Sequence, residues 1–89
     1  MSMKYTTHFQ EDVLTEHPEA NHSDWIDAVL ANPVLVREEA NGTIRHWGFI
    51  AEANKFMRVV TKEDRETLIT AFFDEGFTKR KQREAQWLT

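Results

Sequence analysis

Residues 43–74 read TIRHWGFI-AEANK-FMRVVT-KEDRE-TLITAFFD, and this stretch decides the fold. Three runs rich in β-branched and aromatic residues are separated by two short polar breaks. That pattern predicts an antiparallel meander with strands at Thr43–Ile50, Phe56–Thr61 and Glu66–Phe73. Just upstream, VLVREEA (residues 34–40) reads as a further strand. Asn41-Gly42 then predicts a two-residue hairpin of type I′, in which both residues take positive φ.

Before these strands the period changes from two to about four. Tyr5, Phe9 and Val13 are spaced by four, and Leu14 joins their face, so His8 to about Glu16 reads as a helix with Thr6 or Thr7 as its cap. Pro18 stops it, and Glu19–His22 reads as a polar connector. Ser23 is the expected cap of a second helix, Asp24–Ala31, with Trp25 over Val29 and Ile26 over Leu30. Asn32-Pro33 ends it, with Asn32 expected as a left-handed C-cap. Met3-Lys4-Tyr5 reads as a short edge strand. The expected fold is α+β: a short N-terminal strand, then two helices packed on one face of a four-stranded antiparallel meander, with the other face open.

At 89 residues the chain has room for one core, and three Trp, six Phe and one Tyr can fill it. The expected division is one domain over residues 1–78 and a basic tail over 79–89, which ends in Trp87 and Leu88. Residues 1–78 carry seven Lys/Arg against fourteen Asp/Glu, while 79–89 carry four against one. An acidic body repels nucleic acid at long range but leaves room for a local basic groove. With no Cys, disulfides and thiolate chemistry are excluded. MSMKYTTHFQED has no apolar core of a signal peptide, and no apolar run reaches membrane-spanning length. The expectation is a cytoplasmic protein without a membrane partner. HPEANH (residues 17–22) lacks metal-site spacing on one helix face, and reads as a solvated loop. No metal or cofactor is expected, and no Gly-rich phosphate loop is present. The oligomeric state is not readable.

The element order, together with His8, the WIDAVLANPVLV junction and the IRHWGFI, MRVV and LITAFFD strands, resembles the RelE/ParE-type toxin fold. That fold belongs to the superfamily of small barnase–EndoU–colicin–RelE-like ribonucleases, and the local sequence looks close to short bacterial and phage proteins near it. The resemblance covers about residues 5–78. It implies RNA or the ribosome as substrate, and an antitoxin-like protein as a possible partner. It also implies that a mid-sheet Arg contacts the substrate phosphate and that basic residues near the C-terminus reach the RNA.

RNA cleavage requires a base for the 2′-hydroxyl, a cation at the phosphorane and an acid for the leaving oxygen. Strand alternation places Arg58 and Thr70 on the open face if Met57, Val59, Ile69, Ala71 and Phe73 face the helices. If Trp47 and Phe49 form a core pair, His46 joins Arg58; Ile44 and Ile50, on the other parity, oppose that assignment. The expected catalytic residues are His46, Arg58 and His8, and the expected substrate-binding residues are Arg45, Thr70, Lys79 and Arg80. The bland reading of Arg58 is an ion pair with Glu38, Glu52 or Glu66 across the sheet. The competing function is a non-enzymatic protein-interaction module of the same fold, which binds its partner at the sheet face or by strand addition.

Overall fold

The computed structural model describes the backbone of residues 4–87, with side chains to residue 85; Met3, Leu88 and the Trp87 side chain lie outside the described residues. Strand β1 (Lys4–Tyr5) leads into a π-helical turn, Phe9–Val13, continued by the short helix α1 (Leu14–Glu16). A 3-10 turn, Pro18–Asn21, precedes α2 (Ser23–Ala31). Strands β2 (Leu35–Glu38), β3 (Ile44–Ile50), β4 (Lys55–Thr61) and β5 (Thr67–Phe73) follow, and α3 (Glu75–Trp87) closes the chain. The fold is α+β. Strands β2 to β5 form the expected antiparallel meander. The short β1 joins it in parallel beside β5, so the sheet is five-stranded and mixed, in the order β1-β5-β4-β3-β2. No helix among the described residues is long and apolar enough to cross a membrane.

The helices pack as their spacing predicts. Thr6 Oγ1 accepts the Phe9 N–H at 3.1 Å and caps the first helical turn. Phe9, Val13, Ile26 and Val29 then bury against Ile50, Met57, Val59, Leu68 and Ala71 of the sheet. Each such side chain contributes about 1.5–3 kcal/mol when fully withdrawn from water. Ser23 does not cap α2. The His22 carbonyl accepts the first amides instead, because the 3-10 turn brings the chain in one residue earlier. Asn32 ends α2 with φ of −144°, extended rather than left-handed.

Four further expectations are corrected. The hairpin after β2 is not type I′. Only Gly42 has positive φ, and Gly42 N–H donates to the Glu39 carbonyl, so the turn runs over Ala40-Asn41 with Gly42 as a bulge. On β3 it is Ile44, His46, Gly48 and Ile50 that face the helices, and Trp47 and Phe49 point away. Gly48 decides this parity. A Cβ there would lie 3.0 Å from Val29 Cγ2 and 3.1 Å from its Cα, so α2 approaches the strand only because no side chain stands in the way. On β5 the register jumps between Val60↔Thr70 and Thr61↔Leu68, which leaves Ile69 as an extra residue. The bulge turns Leu68, not Ile69, into the core.

The fourth concerns the C-terminus. Residues 79–87 are not a tail but part of α3, and the face expected to be open is partly covered by it. Phe77 is buried, stacked on Trp47 at 5.3 Å and edge-on to Phe56 at 5.1 Å. Thr78 Oγ1 accepts the Phe56 N–H at 2.9 Å. Gly76, which reads as a breaker, sits in the first turn of this helix. Helical layers therefore pack on both faces of the sheet, with the main core on one and α3 over part of the other.

Candidate functional site

Alternation along β3, β4 and β5 puts Arg45, Trp47, Arg58, Thr70 and Phe72 on the α3 side of the sheet. Arg58 is its centre. Its Nη2 lies 3.2 Å from Asp74 Oδ2, with the two side chains 23% and 16% exposed. The same carboxylate oxygen accepts the Trp47 indole N–H at 3.0 Å. Asp74 Oδ1 accepts the Phe77 N–H at 3.0 Å, which makes Asp74 the cap of α3. The guanidinium lies over two rings, its Cζ 4.6 Å from the Phe72 centroid and 5.7 Å from that of Trp47. Its Nε is buried without a hydrogen-bond partner among the described residues. Desolvation pushes the Asp74 carboxyl up. The Trp47 and Phe77 N–H bonds and the charges of Arg58 and Arg80 outweigh it, so the net shift is downward and the pair is ionised.

The carboxylate that pairs Arg58 is thus Asp74, not Glu38, Glu52 or Glu66. Asp74 follows the last residue of β5, and the turn into α3 folds it back over Arg58. The other expected residues divide. Arg45 shares the α3 side, half-exposed, with its Nε 3.3 Å from Glu39 Oε1. Thr70 shares it, opposite Val60. Lys79 and Arg80 are exposed on α3, with Arg80 5.5 Å from the Phe77 centroid and its charge felt at Asp74.

The two histidines expected to work with Arg58 are elsewhere. His46 points to the opposite face and is 3% exposed, with Nε2 3.1 Å from Thr61 Oγ1. Burial holds its pKa below the ordinary value, and the Arg65 charge lowers it further. His8 lies on the helical layer of that same opposite face, exposed, with Nδ1 3.1 Å from Asp12 Oδ2. The sheet separates both from Arg58.

The histidine on the Arg58 side is His17. Its ring lies 5.3 Å from Phe72, the ring that Arg58 also covers. Its Nδ1 stands 3.9 Å from Glu19 Oε2, and that oxygen accepts the Phe73 N–H at 3.0 Å. The 3-10 turn that follows His17 thus wraps the free edge of β5 and brings an imidazole round to the α3 side. His22, its companion in the HPEANH stretch, stacks instead on Trp25 at 3.7 Å. No spacing rule joins His17 to Phe72; the junction exists only because the turn docks on β5.

Charge is segregated across the sheet. Between Lys4 and Arg37 the chain has six carboxylates (Glu11, Asp12, Glu16, Glu19, Asp24 and Asp27) and no Lys or Arg. These lie on the helical segments of the other face and on the turn between them. The α3 side collects Arg45 and Arg58 from the sheet and Lys79, Arg80, Lys81 and Arg83 from the helix, against the carboxylates of Glu39, Asp74, Glu75 and Glu84, which pair with Arg45, Arg58, Lys55 and Lys81. This segregation could have been read from the sequence, since the cation-free run coincides with the two predicted helices. No family model, curated protein or solved structure matches the chain.

Proposed function

We propose that this chain is a small ribonuclease-like, toxin-like domain that binds an RNA phosphate on the α3 side of its sheet. The observation that carries the reading is that Arg58 and His17 meet on one ring, Phe72, on the basic side of a charge-segregated molecule. Arg58 is held in place by Asp74, Trp47 and Phe72, so it is a positioned donor rather than a free cation. Arg45, Thr70, Lys79 and Arg80 lie on the same side and supply contacts to the backbone. The net attraction for an anion comes from α3, because Asp74 already offsets Arg58.

In this reading His17, not His46 or His8, moves the proton. Glu19 stands beside Nδ1, which leaves Nε2 as the nitrogen that takes the proton. Taking the 2′-hydroxyl proton lets that oxygen attack phosphorus, and the 5′-oxygen leaves with a proton from solvent or a second donor. Exposed and partly exposed rings, Phe49 and Phe72, give bases a surface on which to stack.

The test uses a labelled single-stranded RNA, with and without ribosomes. Wild type is expected to bind and cleave it. His17→Ala is expected to bind with unchanged affinity and lose cleavage, and Arg45→Ala with Arg80→Ala to weaken binding about tenfold or more. Binding without cleavage under either condition removes catalysis and leaves the anion site. No binding at low salt removes the reading.

A further inference from the structure

The two edges of the sheet are finished differently. At one edge, β1 pairs with Thr67 and Leu68, and beyond it the Glu19 carboxylate takes the Phe73 N–H. At the other edge, β2 has no neighbouring strand among the described residues. The Glu39 N–H donates to the Thr43 carbonyl across the hairpin, so Arg37 and Leu35, of the same parity, form the inward hydrogen-bonded pairs with Arg45 and Trp47. Val36 and Glu38 therefore turn their N–H and C=O groups outward. An uncovered row of this kind is a template for a further strand.

The side chains along the row specify what it takes. Leu35 is 39% exposed on the α3 side, next to Phe49 at 48%, and Val34 at the start of the strand is 57% exposed. Arg37 is exposed and stands directly opposite Arg45 in the ladder. Arg45 has the Glu39 carboxylate, whereas Arg37 has no ion-pair partner among the described residues. Like charges directly opposite in a sheet are destabilising, and a carboxylate arriving beside Arg37 relieves them.

We propose that β2 is a docking strand for an extended segment of a partner protein in which a carboxylate stands two residues before an apolar side chain. In antiparallel docking the segment bonds the outward groups of Val36 and Glu38. The residue opposite Arg37 then falls on the α3 side at the closer, non-hydrogen-bonded spacing, and the residue two places on meets Leu35 and Phe49. A second copy of this chain fits less well. Pairing centred on Arg37 sets it against Arg37 of the second copy. Pairing centred on Glu38 brings Arg37 opposite Glu39, but that carboxylate already holds Arg45, and the same register sets two Glu38 side chains against each other. Pairing centred on Val36 leaves Arg37 against Leu35 of the second copy, with no carboxylate. The docking strand shares Phe49 with the RNA reading but uses neither His17 nor Arg80 nor Arg58, so the two readings can fail separately.

The experiment is fluorescence anisotropy with a short labelled threonine- and valine-rich peptide carrying one glutamate two places before a leucine. Saturable binding is expected, with at least a tenfold loss for Val36→Pro, which removes an outward donor at an edge position that tolerates proline. Arg37→Glu is expected to lose about tenfold for this peptide and to prefer the version with lysine in place of glutamate. Circular dichroism of both variants reports the fold. No binding of the peptide, or equal binding by Arg37→Glu, overturns the proposal. So does a wild-type dimer that Arg37→Glu turns into a monomer, which would place a second copy on the edge.

Discussion

At the residue scale, Arg58 shows how one side chain serves two ends. Its charge is half-buried, and the Asp74 carboxylate that answers it also caps α3 and holds Trp47. Removing the guanidinium leaves that carboxylate short of a partner in a partly desolvated place. Arg58→Ala should therefore lower the unfolding free energy by about 1–3 kcal/mol, less than for a fully buried pair. Urea melts read this directly. An unchanged midpoint would mean that the pair contributes nothing to the fold and that Arg58 is free to serve a ligand alone. The FMRVV context showed that Arg58 needs an answering group. It did not show which, because Asp74 reaches it through a turn rather than through the ladder.

His46 makes a prediction of the other sign. Buried and neutral in the fold, its pKa lies below the ordinary 6.5. Well above 6.5 neither state is protonated and the group is silent. As pH falls below 6.5 the unfolded chain takes the proton first, so stability falls with acidification until the folded value is passed. Asp74, shifted downward, adds its own loss only at lower pH. Denaturation followed between pH 7 and about 5 should show this slope. His46→Gln, which keeps a group able to bond Thr61, should flatten it. An unaltered slope would place the titration elsewhere.

At the scale of elements, Gly48 and α3 decide more than the long apolar runs do. The parity of IRHWGFI was ambiguous in sequence because both of its faces are apolar: Ile44, Gly48 and Ile50 on one, Trp47 and Phe49 on the other. A strand with both faces apolar belongs in the middle of a sheet covered on both sides, and α3 is the second cover. Its charge run, KRKQRE, masked it as a tail, and its one buried turn, Phe77-Thr78, is too short to show a helical period. Gly48→Ala should push α2 off β3, at a cost of about 1–3 kcal/mol. Thermal melts of Gly48→Ala against wild type check it. No loss would mean that α2 shifts freely and that the close contact with Val29 does not set the parity.

At the scale of the whole molecule, the net charge of −4 conceals a separation. The acidic residues of the first helical layer and the basic residues of α3 lie on opposite sides of one sheet, so the chain presents different faces to anions and cations. RNA bound on the α3 side should show a salt dependence whose log–log slope falls by about 0.7 for each phosphate contact removed. The slope for Arg45→Ala with Arg80→Ala, compared with wild type by titration across salt, measures it. An unchanged slope would place the RNA elsewhere.

The sequence by itself determined the elements up to the end of β5, but not α3. Hydrophobic period, turn residues and proline stops depend on neighbours within a few positions, and they carried the helices, the meander and the acidic first half. Only the tertiary structure decided which groups meet. The bulge at Ile69, the turn that folds Asp74 onto Arg58, the docking of α3 and the wrap of His17 round to Phe72 are contacts between distant positions. Each is set by steric fit and charge pairing across the sheet. The absence of His46 from the Arg58 side follows from that, because a one-residue change of parity moves a side chain through the sheet to its other face.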